Sequence, residues 1–136
     1  MPEHLIRFRA GWEVAPMDGM SAPVRCILPL DWPDEGRGTR RLVRRFGRPR
    51  TSRSGCEIFE LQLLAVAGLV AVRLNGDELT LLAENSPEYR LRIDRPLLDR
   101  NILELDVDLD RVDRSRLAGR WGEVALVIRT ESADLP

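Results

Sequence analysis

Nucleophilic catalysis finds little support in this sequence. His4 is the only histidine, and it lies near a terminus, where chains tend to fray. A Ser-His-Asp or Cys-His arrangement would have to use that histidine, and the sequence has no strand-turn-helix pattern that would position a nucleophile beside it. We therefore predict no catalytic residues of this kind.

Carboxylates are plentiful, and a suitably spaced pair could hydrolyse a glycosidic bond. From Leu103 to Asp110, however, apolar residues alternate with Glu104, Asp106, Asp108 and Asp110. This period of two places the four acids on one side of a strand. The sequence therefore favours a solvated polar face over a catalytic pair, and we predict that the chain is not an enzyme.

The sharpest polar feature is a run of eight arginines without any acid between Arg37 and Arg53. Arginine offers paired donors to phosphate, sulfate or carboxylate, and Phe46 could stack on an RNA base. The candidate anion-binding residues are Arg41, Arg44, Arg45, Arg48 and Arg50. Charge runs more often form solvated faces. The alternative that we favour is an edge strand that resists self-pairing, or a strand paired with the acidic segment 101–110.

Trp32 is the best candidate for an aromatic ring that contacts a sugar, because it lies in a loop rich in Pro, Asp and Gly. A carbohydrate site built on it would comprise Trp32, Asp31, Asp34 and Arg48. The preferred alternative is that Trp32 plugs one end of the fold. Trp121 is predicted to pack in the core or at an edge, and Tyr89 in the core.

Length and composition favour one domain over residues 1–136. The net charge of −1 argues against nucleic-acid binding. No apolar run is long enough for a membrane span or a signal peptide, so we expect a cytoplasmic location. No Cys/His spacing indicates a metal, and no cofactor is predicted. Cys26 and Cys56 are expected to be reduced thiols, unless neighbouring strands bring them together.

Period-two alternation recurs along the chain, and no segment carries a helical stripe. Glu57–Leu64 and Leu69–Leu74 hold few charges, which is typical of central strands covered on both sides. Asn75-Gly76 predicts a tight hairpin turn between 69–74 and 77–82. About eight or nine short antiparallel strands result, which predicts an all-β fold, most simply a jelly-roll β-sandwich.

The order of the motifs resembles a known family. Leu28-Pro29-Leu30-Asp31-Trp32 comes first, then a basic strand that ends in Phe46, then Val72-Arg73-Leu74-Asn75-Gly76. Leu97-Leu98, the segment 101–107 and a closing strand after Trp121-Gly122 follow. This series resembles the N-terminal sugar-binding domain of glycoside hydrolase family 2, the β-galactosidase and β-glucuronidase group, and more broadly the galactose-binding-like jelly rolls.

The resemblance implies an accessory module. In family 2 enzymes the catalytic glutamates lie in a separate barrel domain, which alone needs about 250 residues, so hydrolase activity does not transfer to this chain. Three functions are compatible with the sequence. The first is a non-catalytic carbohydrate-binding-like or accessory module, and the second is a protein-interaction or self-association module that has lost the sugar site. The third is anion or RNA binding through Arg37–Arg53.

Overall fold

Two antiparallel β-sheets make up the computed structural model, which describes residues 3–16, 22–32, 37–50, 57–81, 86–112 and 120–130. The ten strands are β1 (Glu3–Arg7), β2 (Trp12–Pro16), β3 (Val24–Cys26), β4 (Thr39–Gly47), β5 (Glu57–Leu64), β6 (Leu69–Leu74), β7 (Asp77–Leu79), β8 (Glu88–Ile93), β9 (Arg100–Asp108) and β10 (Glu123–Thr130). A short 3-10 turn covers Leu109–Arg111. The predicted all-β sandwich is confirmed. It has more strands than the eight or nine expected, because β3 and β7 are only three residues long.

The four-stranded sheet has the order β1-β10-β5-β8, and the six-stranded sheet has the order β3-β2-β4-β9-β6-β7. One apolar cluster fills the space between them. In β9, Leu103, Leu105 and Val107 are fully buried on the inner face, as the alternation predicts. Among the described residues, no helix is long and apolar enough to cross a membrane.

The Asn-Gly hairpin forms as predicted. Strands β6 and β7 pair through Leu74 and Asp77, and the two turn residues have positive φ, 53° at Asn75 and 86° at Gly76. Two successive positive φ values match the right-handed twist of the flanking strands. The turn therefore fixes the register at this end of the larger sheet.

The arginine-rich segment forms β4, and β4 pairs along its whole length with the acidic strand β9, from Thr39 opposite Asp108 to Gly47 opposite Arg100. Strand β4 lies inside the sheet, between β2 and β9. Of the two alternatives proposed for this segment, pairing with the acidic strand is confirmed and the edge position is wrong. The arginines are positioned to neutralise the acids of their own chain.

The two apolar segments, β5 and β6, occupy interior positions in their sheets. Their outer faces are not fully covered, contrary to the prediction, because Val70 is 42% exposed and Gln62 and Leu64 are half-buried. The alternating apolar residues from Val24 to Leu30 do not form one continuous strand. Strand β3 stops at Cys26 and leaves Val24 exposed, whereas Leu28 enters the core.

Candidate functional site

Trp32 lies in the core, where it covers one end of the sandwich. It is 7% exposed, and its ring meets that of Trp121 edge to face, with 5.5 Å between the ring centroids. Trp121 is itself 1% exposed and donates its indole N–H to the carbonyl of Ala67 at 2.9 Å. A backbone bridge between Leu30 and Trp121 holds the two segments together. The structure thus supports the plug and offers no exposed ring at Trp32.

Arg48, which was proposed to bind sugar together with Trp32, lies at the opposite end of the β4–β9 ladder. Arg48 donates to the carboxylate of Asp99 at 2.8 Å, beside the Gly47–Arg100 end of the β4–β9 ladder. Trp32 and Trp121 lie at the other end of this ladder. Trp121 contacts Ala67, and the adjacent Gly68 accepts the backbone N–H of Asp108, which pairs with Thr39. Asp31 is exposed, and Asp34 lies outside the described residues. Sugar binding by Trp32, Asp31, Asp34 and Arg48 stays a prediction, but the structure places Arg48 apart from Trp32.

Arg41, a candidate anion ligand, is occupied by a carboxylate of its own chain. Its guanidinium donates to both oxygens of Asp106, at 2.8 and 3.2 Å, and Arg73 donates to the same carboxylate from the other side. Burial raises the pKa of Asp106, but the hydrogen bonds and charges of the two arginines outweigh burial and hold that pKa below its usual value. The hydrogen bond to Asp106 likewise raises the pKa of Arg41.

We expect Asp106→Asn to lower the free energy of unfolding at neutral pH by about 1–2 kcal/mol, since both arginines would lose a buried partner while retaining some solvent. The lowered pKa means that this stabilisation is present above the unfolded-state pKa and is lost as the pH falls through the folded-state value. Wild type should therefore lose more stability on acidification than the variant. Urea unfolding across pH tests this.

The control for that measurement is Asp94→Asn, because Asp94 is exposed and has no ion pair with any described residue. Its effect should stay within about 0.5 kcal/mol. Equal pH dependence of wild type and Asp106→Asn would show that this carboxylate does not stabilise the fold.

Arg45 and Arg44 are also occupied. Arg45 forms an ion pair with Glu13 at 3.0 Å. Both side chains line a groove of about 320 Å³ on the outer face of the larger sheet, which Arg41 and Val43 also line. Arg44 instead lies over the ring of Phe8, 4.9 Å from its centroid, and donates to the carbonyl of Ala10 at 2.7 Å. Burial lowers the pKa of Arg44.

Arg50 is the one candidate of the five that has no side-chain partner within the described ranges. Anion or RNA binding by Arg41, Arg44, Arg45, Arg48 and Arg50 stays a prediction. A ligand would have to compete with Asp106, Glu13 and Asp99 for three of these side chains. The opposite charges of β4 and β9 are paired within one chain.

Two asparagines hold the end of the sandwich that carries Arg48. Asn101 is 1% exposed and makes four side-chain hydrogen bonds: its amide donates to the carbonyls of Phe46 and Leu98, and its oxygen accepts from Leu98 N and from Asn75. Asn75 in turn accepts from the backbone N–H of Ile102 at 2.8 Å. The two asparagines thus shape the backbone at this end of the sandwich, as the Asn75-Gly76 turn predicts for the first of them.

Cys26 is a half-buried free thiol, and burial raises its pKa. Its proposed partner, Cys56, lies outside the described residues. In the parts of the chain that the structure describes, no group of three His, Cys, Asp or Glu side chains could hold a metal ion. The raised pKa argues against a reactive thiolate at Cys26.

Comparison with solved structures gives one consistent result. An FMN-binding β-glucuronidase from Facaelibacterium prausnitzii L2-6 superposes with a TM-score of 0.74 at 22% identity, covering 94% of this chain and 23% of that chain. A β-glucuronidase from an uncultured Clostridium sp. gives 0.73 at 14% identity, covering 96% and 29%. A GH2 β-galacturonidase from Eisenbergiella tayi gives 0.67 at 15%, covering 91% and 24%.

This chain has a fold found in family 2 glycoside hydrolases. The resemblance seen in the motif order is thereby confirmed at the level of the fold. The chain spans less than a third of the length of each of these three enzymes. No protein-family model matches the sequence, and a search of curated proteins finds no match.

Three further arginines, Arg7, Arg9 and Arg120, line a different cavity. Arg7 and Arg9 alternate with Ile6 and Phe8, a pattern that indicates a strand and not a binding site. No sequence signal connects them to Arg120, because the fold alone brings the first and last strands together.

Proposed function

We propose that this chain is a non-catalytic accessory β-sandwich domain of the kind that carbohydrate-active enzymes carry beside their catalytic domain. The observation that carries the proposal is the mismatch in coverage. The fold accounts for more than nine-tenths of this chain but for less than a third of the glycosidases that share it. A domain of this extent can position or stabilise a catalytic neighbour without holding reacting groups.

The state of the buried carboxylates supports a non-catalytic role. The general acid of a glycosidase needs a raised pKa so that it carries a proton at working pH. Asp106 has a lowered pKa and accepts from two arginines. Glu60, the other buried acid in the described residues, pairs with Arg129 at 3.0 Å and with Arg90 at 3.5 Å. Both carboxylates are therefore engaged by arginines of their own chain.

An assay with aryl β-glucuronide and β-galactoside substrates tests the proposal. The purified chain should release no chromophore above the buffer rate between pH 4 and 8 (about the span over which carboxyl catalysis operates). Circular dichroism on the same sample would show that it is folded. Turnover that Asp106→Asn or Glu60→Gln abolishes, while the fold is retained, would contradict the proposal.

A further inference from the structure

A cationic cavity lies on the smaller sheet, and none of its lining residues belongs to either predicted site. It has a volume of about 410 Å³ and forms where β1, β5 and β10 meet two loop segments. Arg7, Arg9 and Arg120 line it, together with the amide of Gln62 and the carboxylate of Glu123. The size falls within the range of small-molecule sites.

The floor of the cavity is a row of side chains across three adjacent strands. Arg7 of β1 lies opposite Ala125 of β10, and Ala125 lies opposite Gln62 of β5. The methyl group of Ala125 is short compared with its two neighbours, so a depression remains between them. Residues two apart on a strand share a face, which places Glu123 on the same side.

Backbone contacts hold the walls in place. Leu28 donates its backbone N–H to the carbonyl of Arg9 at 2.8 Å, which fixes the loop that carries Ile27 and Pro29. Gly122 donates to the carbonyl of Ala65 at 2.8 Å and passes close to Leu28, where an added Cβ would come within 3.4 Å of a methyl group. The cavity is therefore built before any ligand arrives.

The electrostatics distinguish this cavity from the arginine-rich strand. Within the described ranges, Arg7, Arg9 and Arg120 make no ion pair and no side-chain hydrogen bond. Arg41 and Arg45, in contrast, are satisfied by acids. Guanidinium groups with open donors that converge on one cavity fit a planar carboxylate, which they can bind in bidentate fashion.

The remaining lining indicates more than a simple anion. Glu123 would repel an inorganic anion, but it can accept hydrogen bonds from hydroxyl groups, and the Gln62 amide can donate to or accept from them. Ile27, which is 64% exposed, and Pro29 offer apolar surface at the rim. A ring with one carboxylate, several hydroxyls and a C–H face meets all three requirements.

We propose that this cavity binds an acidic saccharide, with the sugar carboxylate held by Arg7, Arg9 and Arg120 and the hydroxyls by Gln62 and Glu123. The proposal goes beyond the accessory role, which needs no ligand. It differs from the predicted sugar site in every residue.

Titration calorimetry with sodium glucuronate, glucose and sodium sulfate tests the proposal on the intact chain. Glucuronate should bind with a Kd of about 1 mM or tighter, and glucose and sulfate about tenfold more weakly or worse. Arg9→Gln and Arg120→Gln should each weaken glucuronate binding by about tenfold, the cost of one charge-assisted hydrogen bond. The matched control is Arg100→Gln, an exposed arginine outside the cavity, which should leave the Kd within about twofold.

A second variant tests the shape of the site without changing its charge. Ala125→Leu fills the depression and should abolish measurable binding, with folding checked by circular dichroism. The proposal is overturned if glucuronate does not bind, if sulfate binds as tightly, or if Arg9→Gln and Arg120→Gln leave binding unchanged. A free monosaccharide has no glycosidic bond to an aglycone, so these outcomes do not depend on the hydrolysis assay.

Discussion

Trp121→Ala is expected to lower the free energy of unfolding by about 3–5 kcal/mol, the usual cost of truncating a buried tryptophan. The side chain is 1% exposed, packs on Trp32 and donates to the carbonyl of Ala67. Removal would leave a cavity at that end of the sandwich and an unsatisfied carbonyl. Denaturant unfolding monitored by far-ultraviolet circular dichroism measures the loss.

Trp121→Phe is the matched variant, because it keeps an aromatic ring and loses the N–H donor. Trp121→Phe should lower the free energy of unfolding by about half as much as Trp121→Ala. Trp32→Ala and the double variant complete a cycle, and edge-to-face packing should appear as a coupling of about 0.5–1.5 kcal/mol. A Trp32→Ala variant that unfolds like wild type would contradict the assignment of Trp32 as a plug.

Asn101→Asp is expected to destabilise the fold by about 3 kcal/mol or more at neutral pH. The substitution keeps the shape and both acceptor contacts but removes the two donors, so a buried carboxylate would face the carbonyls of Phe46 and Leu98. Protonation would remove the charge and restore one donor. The deficit relative to wild type should therefore become smaller as the pH falls, which urea unfolding at several pH values would detect.

Two further variants calibrate that result. Asn101→Leu removes all four hydrogen bonds and should be about as destabilising, but with no dependence of the deficit on pH. Ile102→Ala, at a neighbouring position that is 41% exposed, should cost less than about 1 kcal/mol. Equal stability of Asn101→Asp and wild type would show that the amide donors do not hold this end together.

The sequence predicted the fold well, because the signals that specify a sandwich are local. Alternation in β9 and the Asn75-Gly76 turn each depend on adjacent residues. The opposite charges of the two segments predicted the pairing of β4 with β9 as one of two alternatives. The number of strands was less predictable, since β3 and β7 consist of three residues each and carry almost no pattern of their own.

The candidate sites were predicted less well, because a site depends on contacts between residues distant in sequence. Trp32 lies in a loop-like sequence, yet Trp121 buries it. Arg41 and Arg45 look available in sequence, yet Asp106 and Glu13 occupy them. Composition cannot show which arginines have partners, since the partners depend on the register in which neighbouring strands pair.

The ladder between β4 and β9 also constrains how the chain reaches its native state. The hairpin of β6 and β7 needs only a two-residue turn and can form early. Strand β4 can join β9 only after a long intervening segment has closed, and the entropy lost in that closure precedes the gain from pairing. Opposite charges on the two strands attract each other while the chain is still open. Added salt should therefore slow the rate-limiting step of folding more than it weakens the finished sandwich.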